Sequence, residues 1–320
     1  MAVNGEVQID ALLPGEMAAK AERIGVKKAR LNPISVFVLA VLAGAFIALG
    51  AVLSTTVVAG ASGVLPYGVT RLLAGFVFSL GLILVVIGGA ELFTGNNLIV
   101  MAWAHRTVST HLLLKNWIIV YAGNFVGSLL TVLIMFISGQ YQFGGGAVGA
   151  AALSTANAKM GFDFLQAIAL GIMCNALVCL AVWLTFSART VSDKILAIIP
   201  PITAFVAAGF EHSIANMYFV PMGLLIRSGA PESFWTAIGK TSADFSALTW
   251  DRFLINNLLP VTIGNVIGGA LMVGVVYWFV YLRPHATELL TNGSLKHEPR
   301  NVSIEAGPTP VEATIDQRQN

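Results

Sequence analysis

The chain has 320 residues, 56% of them hydrophobic and only 11% charged, with a mean hydropathy of +0.79. Soluble globular chains carry about 25% charged residues, so water-soluble enzyme classes are excluded and a polytopic membrane protein is expected. A net charge of +2 without a long basic run also argues against a nucleic-acid partner.

Residues 9–30 come first. Leu12, Leu13, Met17, Ala21 and Ile24 alternate at helical spacing with Glu16, Lys20, Glu22, Arg23 and Lys27. This predicts either an amphipathic helix at the inner membrane surface or a solvated basic leader that fixes topology. The first 33 residues hold no apolar run long enough for a cleavable leader.

A spanning helix needs about 20 apolar residues. Six stretches qualify: residues 34–59, 72–103, 112–137, 162–186, 195–226 and 253–282. The second is interrupted by Glu91, Gly95, Asn96 and Asn97, the fifth by Glu211, His212 and Asn216. Cys174 and Cys179, five apart in the fourth, do not share a helix face and read as apolar packers rather than a disulfide. Of the 18 Lys and Arg residues, 13 fall on the side of the two termini. The positive-inside rule then places both termini in the cytoplasm. Three parts follow: a cytoplasmic amphipathic segment (1–33), a six-helix channel domain (34–283) and a cytoplasmic tail (284–320). The tail is polar, contains Pro299, Pro308 and Pro310, and is expected to be disordered. Its glycosylation patterns at Asn292 and Asn301 lie on the wrong side of the membrane to be used.

The interrupted stretches share a pattern. Gly89-Ala-Glu91 with Asn96 matches Gly209-Phe-Glu211 with Asn216, 120 residues apart. Gly123-Asn124-x-x-Gly127 matches Gly264-Asn265-x-x-Gly268 in the same order. Two ordered matches indicate a duplicated three-helix unit. Three crossings are an odd number, so the second copy is inverted, and paired interruptions point to a pathway near the midplane. The expected fold is therefore all-α, six transmembrane helices in two inverted three-helix repeats with broken second and fifth helices.

A charge in the bilayer core costs at least about 2.5–3.5 kcal/mol on insertion scales. One reading of Glu91 and Glu211 is structural, each carboxylate capping backbone N–H groups that the break exposes. His212 matches Leu92 in the first copy, so the shared structural task does not account for it. Half-helices starting near Asn97 and Met217 would direct their positive ends at the midplane. With an imidazole and the Thr94 hydroxyl they suit a small anion. Read alone, Phe78 and Leu82 are packing or lipid-facing residues, Asn175 is equally interhelical glue, and Lys159 is by default a snorkelling lysine.

The segments GAELFTGNN (89–97), ALGIMCNALVCLAVWL (169–184) and FEHSIANMYFVPMG (210–223), with LLPGEMAAKAERIGVKKA near the N-terminus, resemble the formate/nitrite transporter family, and its formate channel branch above all. The resemblance implies an aquaporin-like protomer, a homopentamer with one pore per protomer, and passage of formate, nitrite or hydrosulfide. It implies a central pore histidine at His212, a loop threonine at Thr94, a pore asparagine at Asn175 and a vestibule lysine at Lys159. It also implies apolar constrictions at Phe78, Leu82, Leu92, Val178 and Phe205. Glu91, Glu211 and Asn216 complete the expected pathway.

The expected function is a channel or transporter for the small anion of a weak acid, most often formate, with His212 exchanging a proton with it. The expected setting is the inner membrane of a bacterium, with lipid as the surrounding partner and no cofactor or metal. An aquaporin-type neutral-solute channel would need paired Asn-Pro-Ala turns, and neither break has one. A hydrolase built on Glu91, Glu211 and His212 lacks HExxH and GxSxG, so no enzyme is expected.

Overall fold

The computed structural model describes residues 11–283, and every regular element among them is helical. The expected tail, 284–320, and residues 9 and 10 lie outside the described residues. Helix α1 is Pro14–Ala29, α2 Pro33–Val58 and α3 Tyr67–Gly88. A half-helix follows, made of α4 (Phe93–Asn96), a tighter turn (Asn97–Ile99) and α5 (Val100–Ala104). Then come α6 (Thr110–Ile137), α7 (Ala147–Lys159), α8 (Phe164–Ser187), α9 (Val191–Ala208) and α10 (Ser213–Gly229). A short α11 (Glu232–Ile238) precedes α12, continuous over residues 250–282. It winds into π-helical geometry at Phe253–Leu258, Ile267–Val275 and Trp278–Leu282.

Among the described residues six helices are long and apolar enough to cross a membrane, namely α2, α3, α6, α8, α9 and the last. The second and fifth expected spans are each split, into α3 plus the α4–α5 half-helix and into α9 plus α10. This is a multi-pass membrane protein of inverted repeats. Sequence reading assigned no element to residues 138–161, yet α7 lies there. Its hydropathy is too low and its length too short for a span, and its small residues Gly149, Ala152 and Ala156 form a buried face.

The α1 segment is a helix with one apolar face, as the first of its two readings expected. Its apolar face meets protein. Met17, Ala18 and Ala21 pack with Leu98 and Met101 of the first half-helix, Trp183 and Phe186 of α8, and Val273 of α12. Lys20 Nζ donates to the Phe186 carbonyl at 2.7 Å, and Ser187 Oγ donates to the Leu12 carbonyl at 2.9 Å. Pro14 at its first position and Glu16 and Lys27 at opposite ends suit a helix of this polarity.

Small residues let the long helices touch backbone to backbone. A Cβ on Gly127 of α6 would collide with the Val41 carbonyl oxygen of α2, and one on Gly268 of α12 with the Ile172 carbonyl oxygen of α8. Gly269 faces the Asn175 side chain. All three glycines are used for contacts inside the protomer. Apolar side chains such as Phe76, Ile118 and Ile134 remain exposed on the helical surface.

These contacts give a direct expectation. Gly127→Val and Gly268→Val should each destabilise the detergent-solubilised protein by about 1–3 kcal/mol or more through overpacking. Gly68→Ala should be nearly silent, because nothing lies within 4 Å of an added Cβ there. Thermal unfolding followed by size-exclusion chromatography checks this; unchanged midpoints in the valine variants would contradict it.

Candidate functional site

Each break begins where a helix ends on glycine. Gly89 closes α3 with φ 77° and Gly209 closes α9 with φ 79°, a left-handed conformation that side chains disfavour. Extended residues follow, and the half-helices begin at Phe93 and Ser213. That is one turn earlier than the expected Asn97 and Met217.

The backbone groups freed by the breaks are satisfied by asparagines of α6 and α12. Asn124 Oδ1 accepts the Phe93 N–H at 2.9 Å, while its Nδ2 donates to the carbonyls of Glu91 (2.9 Å) and Ala40 (2.7 Å). Asn265 repeats this, accepting from Ser213 N–H at 2.9 Å and donating to Glu211 (2.9 Å) and Gly171 (2.8 Å). Glu91 N–H donates to Leu39 and Glu211 N–H to Leu170, at 3.2 and 3.3 Å. The expectation that the glutamate carboxylates cap the breaks is therefore corrected: a carboxylate has acceptors only, whereas an amide serves both a freed N–H and a freed carbonyl.

The carboxylates instead anchor two matching polar clusters. Lys28 Nζ donates to Glu91 Oε1 at 2.8 Å and to Asn96 Oδ1 at 3.0 Å. Asn96 Nδ2 donates to Glu91 Oε2 at 2.7 Å and Asn116 Oδ1 at 2.9 Å, and Asn116 Nδ2 to the Lys28 carbonyl at 3.3 Å. In the second repeat Lys159 Nζ donates to Glu211 Oε1 at 2.8 Å. Asn216 Nδ2 donates to Glu211 Oε2 at 2.7 Å and Asn257 Oδ1 at 2.8 Å, and Asn257 Nδ2 to the Lys159 carbonyl at 2.9 Å. Thus α1 is the counterpart of α7, and the repeat is larger than the three helices read from sequence. Lys28, Asn116 and Asn257 were not singled out beforehand. The signal was present: Asn116 and Asn257 stand 141 residues apart, as do Asn124 and Asn265.

Between the clusters the symmetry fails. His212 Nδ1 accepts the Ala215 N–H at 3.0 Å, capping α10. That nitrogen carries no proton, so the ring is the neutral tautomer with hydrogen on Nε2. Nε2 lies 3.0 Å from Thr94 Oγ1. Cys179 Sγ donates to the Thr94 carbonyl at 3.3 Å. Asn175 Nδ2 donates to Asn97 Oδ1 at 2.8 Å and to the Asn265 carbonyl at 2.6 Å, linking the first half-helix to α12. Both cysteines are free.

The five apolar residues assigned to constrictions, Phe78, Leu82, Leu92, Val178 and Phe205, are buried in one cluster. Phe205 stacks on His212 with ring centres 5.9 Å apart, and Phe78 meets Phe205 edge-on at 5.7 Å. Phe219, absent from the sequence reading, stacks on Phe78 at 6.4 Å and lies under Lys159 Nζ at 5.3 Å. A contact chain thus runs from Lys159 through three phenylalanines to His212 and Thr94. Lys159 is paired with Glu211 and does not snorkel as a lone lysine. On the α1 side, Leu82, Leu92, Glu91 and Lys28 line a cavity of about 500 Å³.

Inverted repeats and paired helix breaks that enclose a buried polar contact packed among apolar side chains define a multi-pass membrane protein built around its two breaks. A family model for formate/nitrite transporters matches residues 15–279. The chain is 49% identical over 274 residues to the formate channel FocA of Escherichia coli (strain K12), covering 86% of this chain and 96% of that one. It is 34% identical to the formate channel BtFdhC of Bacillus thuringiensis, covering 85% and 97%. A solved pentameric formate channel with formate bound superposes with a TM-score of 0.73 at 47% identity, covering 78% of this chain and 98% of that chain. The chain belongs to the formate/nitrite transporter family.

The two ion pairs differ in exposure, which orders a prediction. The lysine side chain is 28% exposed in the Lys28–Glu91 pair and 13% in the Lys159–Glu211 pair. Removing one member of a buried pair costs about 3–5 kcal/mol because the other charge is stranded. Lys159→Met should therefore cost more unfolding stability than Lys28→Met, where the cavity lets water reach Glu91. Adding Glu211→Gln to Lys159→Met should recover much of the loss. Equal costs, or no recovery, would show that stranded charge is not the cause.

Proposed function

We propose that this chain is a formate channel, a homopentamer with one route through each protomer, in the inner membrane of a bacterium with the α1 side cytoplasmic. The observation that carries this is the His212–Thr94 contact, closed off on the α7 side by Phe78 and Phe205. The substrate is supported by the relatives named as formate channels, and the pentamer by the solved pentameric formate channel. Those relatives are named as channels, which favours transport over catalysis. Nitrite and hydrosulfide, also small anions of weak acids, are the second reading.

The route starts on the α7 side, where Lys159 draws the anion although Glu211 offsets its charge. The phenylalanines then oppose a bare ion, because desolvating it costs several kcal/mol. A neutral acid crosses at far lower cost. His212 meets the substrate at Nε2, where its N–H can turn from Thr94 Oγ1 to the substrate oxygen. To give up a proton the ring first needs a second one. The only nitrogen able to take it is Nδ1, which must then release the Ala215 N–H. Proton loading of His212 is thereby tied to loosening the first turn of α10. Asn175 holds the first half-helix while Thr94 exchanges partners. Leu92, Leu82 and Val178 repeat the apolar barrier toward the α1 side, where Glu91 and its cluster hold the other break; Asn216 does the same with Glu211.

Formate uptake into liposomes tests this. In the parent, uptake should rise as pH falls, because proton loading of His212 at Nδ1 becomes more frequent. His212→Asn keeps a polar contact and should flatten the profile; superimposable profiles would refute proton exchange. Phe78→Ala with Phe205→Ala should raise acetate flux relative to formate flux above the parent's ratio. An unchanged ratio would show that these rings are not the filter.

A further inference from the structure

The α1-side cavity carries charge that the proposed route does not need. Four lysines line it: Lys20, Lys27, Lys28 and Lys194. Lys28 has a carboxylate partner, Glu91. Among the described residues no carboxylate lies within 4.0 Å of the other three. Asp193, beside Lys194, turns its carboxylate to the N–H groups of Arg189 and Thr190 at 3.1 and 2.9 Å. Lys20 is half-buried and spends a hydrogen on the Phe186 carbonyl, leaving two of its three donors. Its pKa is lowered, first by burial and then by Lys194, Arg189 and Arg23. Lys194, Arg189 and Arg23 thus add like charge around Lys20.

Size and floor narrow the ligand. The cavity, about 500 Å³, matches sites for ligands of drug or metabolite size and is far larger than a one-carbon carboxylate. Its floor is Leu82 and Leu92. A monovalent anion engages one ammonium at a time and can leave as its neutral acid. A di- or trivalent anion engages several at once, and its charge forbids passage over that apolar floor.

We propose that this cavity is a binding site for small multivalent anions, which lodge among Lys20, Lys27 and Lys194 and block the route from the α1 side. The blocking half of this rests on the channel reading above; the binding half does not. Formate flux is measured in liposomes of known protein orientation, with pyrophosphate on one face and ionic strength matched by chloride. Block should be at least about tenfold more potent from the α1 side than from the α7 side. Lys20→Gln with Lys194→Gln should weaken it by about tenfold, the loss of roughly one close charge contact, and leave flux without pyrophosphate unchanged. Lys20→Arg with Lys194→Arg should keep it. Calorimetry of pyrophosphate with the detergent-solubilised full chain should show binding to the parent and the arginine variant but weakened binding to the glutamine variant. Equal block from both faces, block indifferent to the glutamine variant, or no calorimetric binding overturns the proposal. Absence of formate flux without pyrophosphate would instead sink the channel reading, and calorimetry alone would then decide the site.

Discussion

The rest of the structure depends on how an open stretch of backbone survives inside a membrane. Each break frees N–H and C=O groups where no water is at hand, and each unpaired group costs about 1–3 kcal/mol or more. Asn124 and Asn265 meet that demand by working as donor and acceptor at once, each tying its break to the neighbouring long helix through the Ala40 or Gly171 carbonyl. The glycines beside them follow from the same need. An amide reaches across only if helices α2 and α6, and α8 and α12, come to backbone contact, and Gly127 and Gly268 allow that.

Once the breaks are held by asparagine, the glutamates are free for another task. Each carboxylate joins a lysine from a peripheral helix to the asparagine of a half-helix. This makes α1 and α7 integral to the breaks. Neither is a full span, and each delivers one cation to one end of the route. The ends are not equal. Lys28 has two side-chain acceptors and Lys159 has one, while the α1 side opens into a lysine-lined cavity. The midplane is also unequal, because histidine stands where the other repeat has leucine. Symmetry thus builds the frame, and the departures from it fall at His212 and at the α1-side cavity.

Much of this was legible in the chain. Hydropathy alone located the six spans, since lipid demands about 20 apolar residues of any helix that crosses it. The repeated Gly-x-Glu and Gly-Asn-x-x-Gly patterns revealed the duplication, and the mismatch of His212 with Leu92 marked the centre. These signals survive in one dimension because each is a local requirement of residue type. The sequence also held the paired Asn116 and Asn257, but at an offset that differs from that of the glutamates. Loops of unequal length separate the two sets, so the match is easily overlooked.

Which group satisfies which was decided only by the tertiary structure. The glutamates read as caps and proved to be anchors; the asparagines read as a signature of the repeat and proved to be the caps. Lys28 was one unremarked member of the basic set on the side of the termini and Lys159 read as a vestibule or snorkelling lysine, yet each reaches a carboxylate more than fifty residues away in the chain. Helix α7 escaped notice because a short helix of small residues has no hydropathic signature of its own. Residue type fixes how many donors and acceptors a side chain brings. Partner choice depends on distances of 2.6–3.3 Å across helices, and those exist only once the helices have packed.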